Sequence, residues 1–351
     1  MKKIFLYLIF PLTIAQAQQK ADTSLNIIFL IGDGMGLSQI SAGMYANNNQ
    51  TALEGFSHVG LSKTHAEKNL VTDSAASGTA MACGEKTYNG VLGISAKNKK
   101  LESILEICKD NGYNTGLIVN SSIVHATPAS FYANINSRKK YEEIALQFSE
   151  SEVDYFIGGG KKYFNKREDK RNLITEMKAV DVVKSLRAYK KSDSNRLGMF
   201  TYNEEPPSII KGRDPLLADY LKATLDKLDR RKEPFFLMVE GSQIDWGGHA
   251  NEINYITSEF IEFNSAIEVA LNYANNNSNT LVVVTADHET GGLAITGGKS
   301  DNFEMISGFN TGGHSATMVP VFSSGKHAEL FSGIYENTQI FHKMMEALGE
   351  N

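Results

Sequence analysis

Apolar residues along the chain fall into two patterns that alternate. One is a set of continuous apolar runs of strand length: Asn26 to Ile31, Thr115 to Val119, Val153 to Ile157, Phe235 to Val239 and Leu281 to Thr285. A run without polar alternation marks a strand buried on both faces, as in a parallel sheet. The other pattern sets apolar residues at helical spacing in Leu101 to Lys109, Pro215 to Leu228 and Ile253 to Ala274. Strands alternating with helices predict an α/β fold, a three-layer sandwich with a central, mostly parallel sheet and helices on both faces.

The runs stop at polar or glycine-rich turns. Asn26 to Ile31 enters Gly32-Asp33-Gly34-Met35-Gly36, Thr115 to Val119 leads to His125-Ala126-Thr127-Pro128, and Val153 to Ile157 meets Gly158-Gly159-Gly160. Phe235 to Val239 ends at Glu240, and Leu281 to Thr285 at Asp287-His288. Ligands of such sheets collect beyond the carboxyl ends of the strands, so these polar residues are expected along one edge. The asparagine runs 47–49 and 275–277 read as turns, and no linker or repeat divides residues 18–351, which are expected to form one domain.

Met1-Lys2-Lys3, an apolar stretch from Ile4 to Ile14 broken by Pro11, and Ala15-Gln16-Ala17 have the layout of a signal peptide over residues 1–17. A membrane anchor is the weaker alternative, because the stretch is short and interrupted. The protein is therefore expected in the periplasm or the medium. Cleavage removes two lysines and takes the net charge from −5 to about −7. An acidic chain without a basic tail is a poor nucleic-acid binder. Cys83 and Cys108 are the only cysteines, both in stretches read as helix; two buried free thiols are expected ahead of a disulfide, and a cysteine-rich metal site is excluded.

The chemistry gathers around Val71-Thr72-Asp73-Ser74 and the small residues that follow to Ala80. Asp73 suits the cap of a helix and Ser74 its first turn, where free amides and the positive dipole end favour an anion such as phosphate. Further on, Glu240, Asp245 and His249 succeed one another at spacings of five and four, and Asp245 and His249 would share a helix face. Asp287-His288-Glu289 and the glycine-rich loop around His314 add further donors. Mixed aspartate and histidine suits zinc, whereas carboxylate with hydroxyl suits magnesium. His58, His65, His327 and His342 stand in no comparable setting and read as surface or packing residues. Ser137 to Tyr141 reads by composition as a solvated basic turn, and Lys161-Lys162 and Lys166-Arg167 as a solvated face.

Taken together, Asp33 to Gly36, Thr72 to Ser77, His125 to Pro128, Ser137-Arg138-Lys139, Glu240 to His249, Asp287 to Glu289 and the Gly-Gly-His314 loop resemble the ordered motifs of alkaline phosphatases, from about Asn26 to the C-terminus. The likeness is greatest to the short enzymes of marine and cold-living bacteria. It implies a metal-dependent phosphomonoesterase acting on small phosphate monoesters, with Ser74 as the nucleophile that becomes a phosphoserine. It further implies one zinc on Asp245, His249 and His314, and a second on Asp33, Asp287 and His288 with Ser74. A magnesium would be held by Asp33, Thr127 and Glu240. Arg138 would clamp the phosphate, oriented by Asp73. A serine hydroxyl is a weak nucleophile until a metal or base activates it, and a planar guanidinium matches two phosphate oxygens as lysine cannot.

His125 and Trp246 lie beside those ligands at positions that vary within the family. His125 implies a third metal bound less tightly than the zincs, and Trp246, which offers one neutral donor, implies quicker product release. The short interval between His288 and His314 excludes the large insertion of animal relatives. A homodimer is the family's habit, and seven prolines suit a flexible, cold-adapted enzyme. Arg138 and the absence of a sulfatase nucleophile motif around Ser74 weigh against a phosphodiesterase or sulfatase of the same superfamily. A metal- and phosphate-binding protein without turnover is the alternative from another class.

Overall fold

The computed structural model describes residues 25–350. The signal peptide expected at residues 1–17 lies outside them. Strand β1 (Asn26–Gly32) is followed by β2 (His58–Lys63), β3 (Asn114–Ser122), β4 (Tyr155–Gly159), β5 (Asp181–Val183), β6 (Leu197–Phe200) and β7 (Phe235–Gly241). Then come β8 (Thr280–Thr285), β9 (Glu289–Thr290), β10 (Ala294–Lys299), β11 (Glu304–Gly308), β12 (His314–Ser315), β13 (Val319–Gly325) and β14 (Gly333–Glu336). The main sheet has ten strands in the order β14-β2-β13-β8-β1-β7-β3-β4-β6-β5. Every pairing in it is parallel except those of β13, which runs antiparallel to β2 and β8. The runs expected as strands are β8, β1, β7, β3 and β4, the contiguous centre of the sheet. The flanking strands escaped notice because they are short or partly exposed and lack a continuous apolar run.

Side-chain alternation along β1 assigns the two faces. Ile27, Phe29 and Ile31 point into a core shared with Met81, Ile104, Phe148 and Met344. Ile28 and Leu30 point the other way, to Leu221, Ile256, Phe260 and Phe263. The helices Ser74–Cys83, Ile104–Asp110, Tyr141–Glu150 and Thr338–Leu348 cover the first face, whereas Leu37–Ala46, Leu217–Arg231 and Ile253–Asn276 cover the second. Each fully buried Leu, Ile or Phe contributes about 1.5–3 kcal/mol, so both layers are held mainly by apolar burial.

Helix ends differ from the sequence pattern where caps intervene. Ser103 caps the helix expected from Leu101, reciprocally with Glu106, so it begins at Ile104. The helix expected at Pro215 starts at Leu217, and the third runs on to Asn276, so Asn275 and Asn276 complete its last turn and form no separate turn. Arg167 departs from the solvated face expected of it. It is buried, forks onto Asp169 and donates to the carbonyls of Glu142 and Tyr163. Cys83 and Cys108 are free and buried, and burial pushes both thiols up. Among the described residues no helix is long and apolar enough to cross a membrane.

Candidate active site

The carboxyl ends of β1, β7 and β8 bring Asp33, Glu240, Asp287 and His288 together, all fully buried. Gly34 follows Asp33 at φ +72°, and a Cβ there would lie 2.7 Å from the Asp245 Cα. Only glycine lets the turn after β1 pass this close to the helix Ile244–Ala250 that carries Asp245 and His249. The Gly34 amide also donates to Asp287 Oδ1 at 3.1 Å. His314 arrives on β12, which pairs with β9 just after His288.

Three imidazoles are aimed by their outer nitrogens. His249 Nδ1 lies 2.8 Å from the Gly312 carbonyl and His314 Nδ1 2.8 Å from that of Thr72. A carbonyl only accepts, so both Nδ1 atoms carry a proton, and in the neutral ring each Nε2 presents a lone pair. Thr290 Oγ1 gives its one hydrogen to Asp245 Oδ1, so His288 Nδ1 at 3.2 Å donates to it. His288 Nε2 is thereby a third lone pair. It faces Asp287 Oδ2 at 3.1 Å, Ser74 Oγ at 3.3 Å and Asp33 Oδ1 at 3.5 Å.

Lone pairs thus confront lone pairs in a buried space. Among the described residues, both carboxylate oxygens of Asp33, Asp287 Oδ2, Glu240 Oε1, Thr127 Oγ1 and His125 Nδ1 find no hydrogen-bond partner. Burial, then the neighbouring Asp287, Asp245 and Glu240, push the Asp33 carboxyl well above its ordinary range. Burial likewise pushes Glu240 up to about 8. Such a set is costly unless cations occupy it. Donor atoms lie within 4.8 Å of one another in three groups: Asp245, His249 and His314; Asp33, Asp245 and His288; and Asp33, His125 and Glu240. Nitrogen and carboxylate donors with outer hydrogen bonds fixing the rings fit zinc in the first two groups. The oxygen-rich third fits a hard cation, although His125, expected only beside the ligands, brings a ring nitrogen into it.

Ser74 opens the helix Ser74–Cys83, all of it buried, and Asp73 caps it through a hydrogen bond from Ala76 N at 3.0 Å. The same carboxylate takes Arg138 Nη1 at 3.0 Å. Gly90 ties the two together. Its amide donates to both Asp73 oxygens at 3.1 and 3.0 Å, while its carbonyl accepts the Arg138 amide at 2.7 Å. Arg138, which composition assigned to solvent, is therefore a fixed, partly exposed fork held by the residue before the serine. Trp246 packs edge-on against His125, ring centroids 6.1 Å apart.

A sequence profile described as alkaline phosphatase matches residues 24–307. The chain belongs to the alkaline phosphatase family. Alkaline phosphatase 4 of Bacillus subtilis is 38% identical over 90% of this chain and 71% of its own length, and alkaline phosphatase 3 of the same organism is 33% identical over 96% and 92%. The structure of alkaline phosphatase from the Antarctic bacterium TAB5 superposes with a TM-score of 0.89 at 41% identity, covering 95% of this chain and 100% of that one. A cold-active alkaline phosphatase from a psychrophilic Shewanella superposes at 0.85 with 30% identity, over 92% and 100%. A histidine-to-glutamate variant of the TAB5 enzyme has magnesium bound in a site termed M3. The α/β fold expected from the apolar pattern is that of these alkaline phosphatases.

Several residues shape the site in roles that the sequence did not assign to them. Glu289 accepts from Gln39, from the amides of Gly292 and Leu293 and from Ser315, fixing the loop that brings His314 in. Thr290 sets the His288 tautomer, and Gly90 joins Asp73 to Arg138. Beside near neighbours, each has a deciding partner far along the chain: Gln39 and Ser315 for Glu289, Asp245 for Thr290, and Asp73 and Arg138 for Gly90. The adjacency of Glu289 and Thr290 to Asp287-His288 was the one available hint.

Proposed function

We propose that this alkaline phosphatase hydrolyses small phosphate monoesters through a phosphoserine on Ser74, with two zinc ions and one magnesium. The cluster of buried donor atoms at Ser74, with the Asp73–Arg138 pair on the residue just before it, is the observation that carries this reading. Asp245, His249 and His314 would hold one zinc. Asp33, Asp287 and His288 would hold the second, and Asp33, Thr127 and Glu240, with His125 beside them, the magnesium. Bound there, the metals would lower the pKa of hydroxyl groups and offset charge on the phosphoryl oxygens.

The protein's own groups do the rest. Arg138 binds two phosphoryl oxygens, and Asp73 holds its guanidinium in one orientation. The helix N-terminus at Ser74 favours the same anion. Ser74 Oγ loses its proton and bonds to phosphorus as the bond from phosphorus to the alcohol oxygen breaks, and the alcohol leaves with a proton. Water then attacks phosphorus from the vacated side, the bond to Ser74 Oγ breaks, and the serine regains its proton as phosphate departs. We read residues 1–17 as the signal that delivers one catalytic domain, residues 18–351, to the periplasm or medium. There two copies would associate, which light scattering of the purified enzyme tests.

The test is steady-state hydrolysis of p-nitrophenyl phosphate, with and without chelator, beside Ser74→Ala. Activity that needs metal and falls by about a thousandfold or more in the variant supports the reading. Equal turnover by Ser74→Ala removes it. A matched assay with bis-p-nitrophenyl phosphate reports diester hydrolysis, expected to be far slower.

A further inference from the structure

Glu240 is held by one oxygen only. Ser121 Oγ donates to Glu240 Oε2 at 3.3 Å, while Oε1 has no hydrogen-bond partner among the described residues, and a carboxylate oxygen of Glu240 stands in the group with Asp33 and His125. The support for Oε2 continues inward. Ser242 Oγ donates to Ser121 Oγ at 2.9 Å, and Ser242 N donates to Asn120 Oδ1 at 2.6 Å. Asn120 Nδ2 donates in turn to Glu262 Oε2 at 3.3 Å. Glu262 lies 3.6 Å from Arg213 Nη2, which also pairs with Glu259.

Every member of this chain is buried: Asn120 and Glu262 at 2% and 4% exposure, Ser121 and Ser242 at 0%. Glu259 and Glu262 are buried on the helix Ile253–Asn276, beside the buried Phe260 and Phe263. Two carboxylates in a core are expensive, and Arg213 supplies only one positive charge against them. Packing alone would be better served by apolar side chains there. The side-chain amide of Asn120 joins this charged cluster to the two serines, its acceptor end on Ser242 and its donor end on Glu262.

We propose that Asn120 is a positioning residue of the cation site at Glu240. It passes the fixed geometry of the Arg213–Glu262 pair through Ser242 and Ser121 to the carboxylate, leaving Oε1 free and aimed at the cation. A half-held carboxylate with its other oxygen free is the arrangement by which outer hydrogen bonds tune a ligand. The inference rests on the reading of Glu240 as a ligand given above.

The experiment titrates zinc-loaded protein with magnesium chloride by calorimetry and records the melting temperature of each metal-free form. Asn120→Ala and Ser242→Ala are expected to weaken magnesium binding by roughly 10–100-fold, the usual cost of a lost outer partner, with zinc content unchanged. Ser103→Ala, which removes a remote helix cap, is expected to lower the melting temperature and leave magnesium affinity alone. Magnesium affinity within twofold of the parent in both variants overturns the proposal. Should Asn120→Ala not fold, Ser242→Ala decides alone, since it deletes one hydroxyl and keeps the backbone bond to Asn120. A parent that binds no magnesium overturns the ligand reading itself, a result distinct from unaltered variants of a parent that does bind.

Discussion

His249 Nε2 and His314 Nε2 face each other at 3.2 Å, each with its Nδ1 proton committed to a backbone carbonyl. Neutral rings so oriented repel, and Asp245 Oδ2 at 3.4 Å from His249 and Oδ1 at 3.5 Å from His314 add negative charge to the same point. The arrangement favours a shared metal cation, and in its absence a proton that Asp245 draws onto His314. Chelation is therefore expected to lower the melting temperature, because metal binding free energy is folding free energy here. Either His249→Ala or His314→Ala should reduce zinc by one ion per chain after dialysis, which elemental analysis measures.

Arg138 carries a bidentate fork that Asp73 and Gly90 hold in place. Arg138→Lys keeps the charge and loses the fork, so KM for p-nitrophenyl phosphate should rise about 10–100-fold, corresponding to roughly 1.5–3 kcal/mol. Asp73→Ala should raise KM as well and also cost about 1 kcal/mol of stability through the lost helix cap. Paired kinetic and urea-unfolding measurements separate the two effects.

Gly34 adopts φ +72° with no room for a side chain against Asp245 and Thr290. Gly34→Ala should destabilise the protein by about 1–3 kcal/mol from backbone strain. The displaced Asp245 should also loosen the zinc proposed to bind it with His249 and His314. Zinc retention during dialysis, compared with the parent, checks this.

Glu205 accepts the Ser122 amide, and burial pushes its carboxyl from 4.5 up to about 7. The folded chain then keeps a proton that the unfolded chain releases between those values. Its contribution to stability is present below pH 4.5 and is lost as pH rises to about 7. Glu205→Gln keeps an acceptor for Ser122 and removes the titration. In metal-free protein, the midpoint of urea unfolding for Glu205→Gln should gain on the parent as pH rises through this window.

Cys83 and Cys108 are 8% and 1% exposed, with no bond between them. The native protein should resist thiol reagents and melt at the same temperature with or without reductant. Two thiols per chain should react after denaturation.

The sequence by itself determined the centre of the sheet, since β1, β3, β4, β7 and β8 are continuous apolar runs whose burial is written locally. It also determined the small-residue helix behind Asp73, and the edge on which Asp33, Glu240, Asp287 and His288 meet, because each stands just past a strand that must be parallel. Tertiary structure alone decided what depends on partners far along the chain. Arg138 reaches Asp73 across 65 positions and His314 reaches Thr72 across 242, so neither orientation is encoded in a local pattern. The same holds for the ring tautomers and for Arg213, Glu259 and Glu262, charges that no local pattern marks as buried and the core nonetheless encloses. Periodicity records which side of an element is buried. Which polar group meets which is set by strand order and by the loops that the sheet brings to one edge.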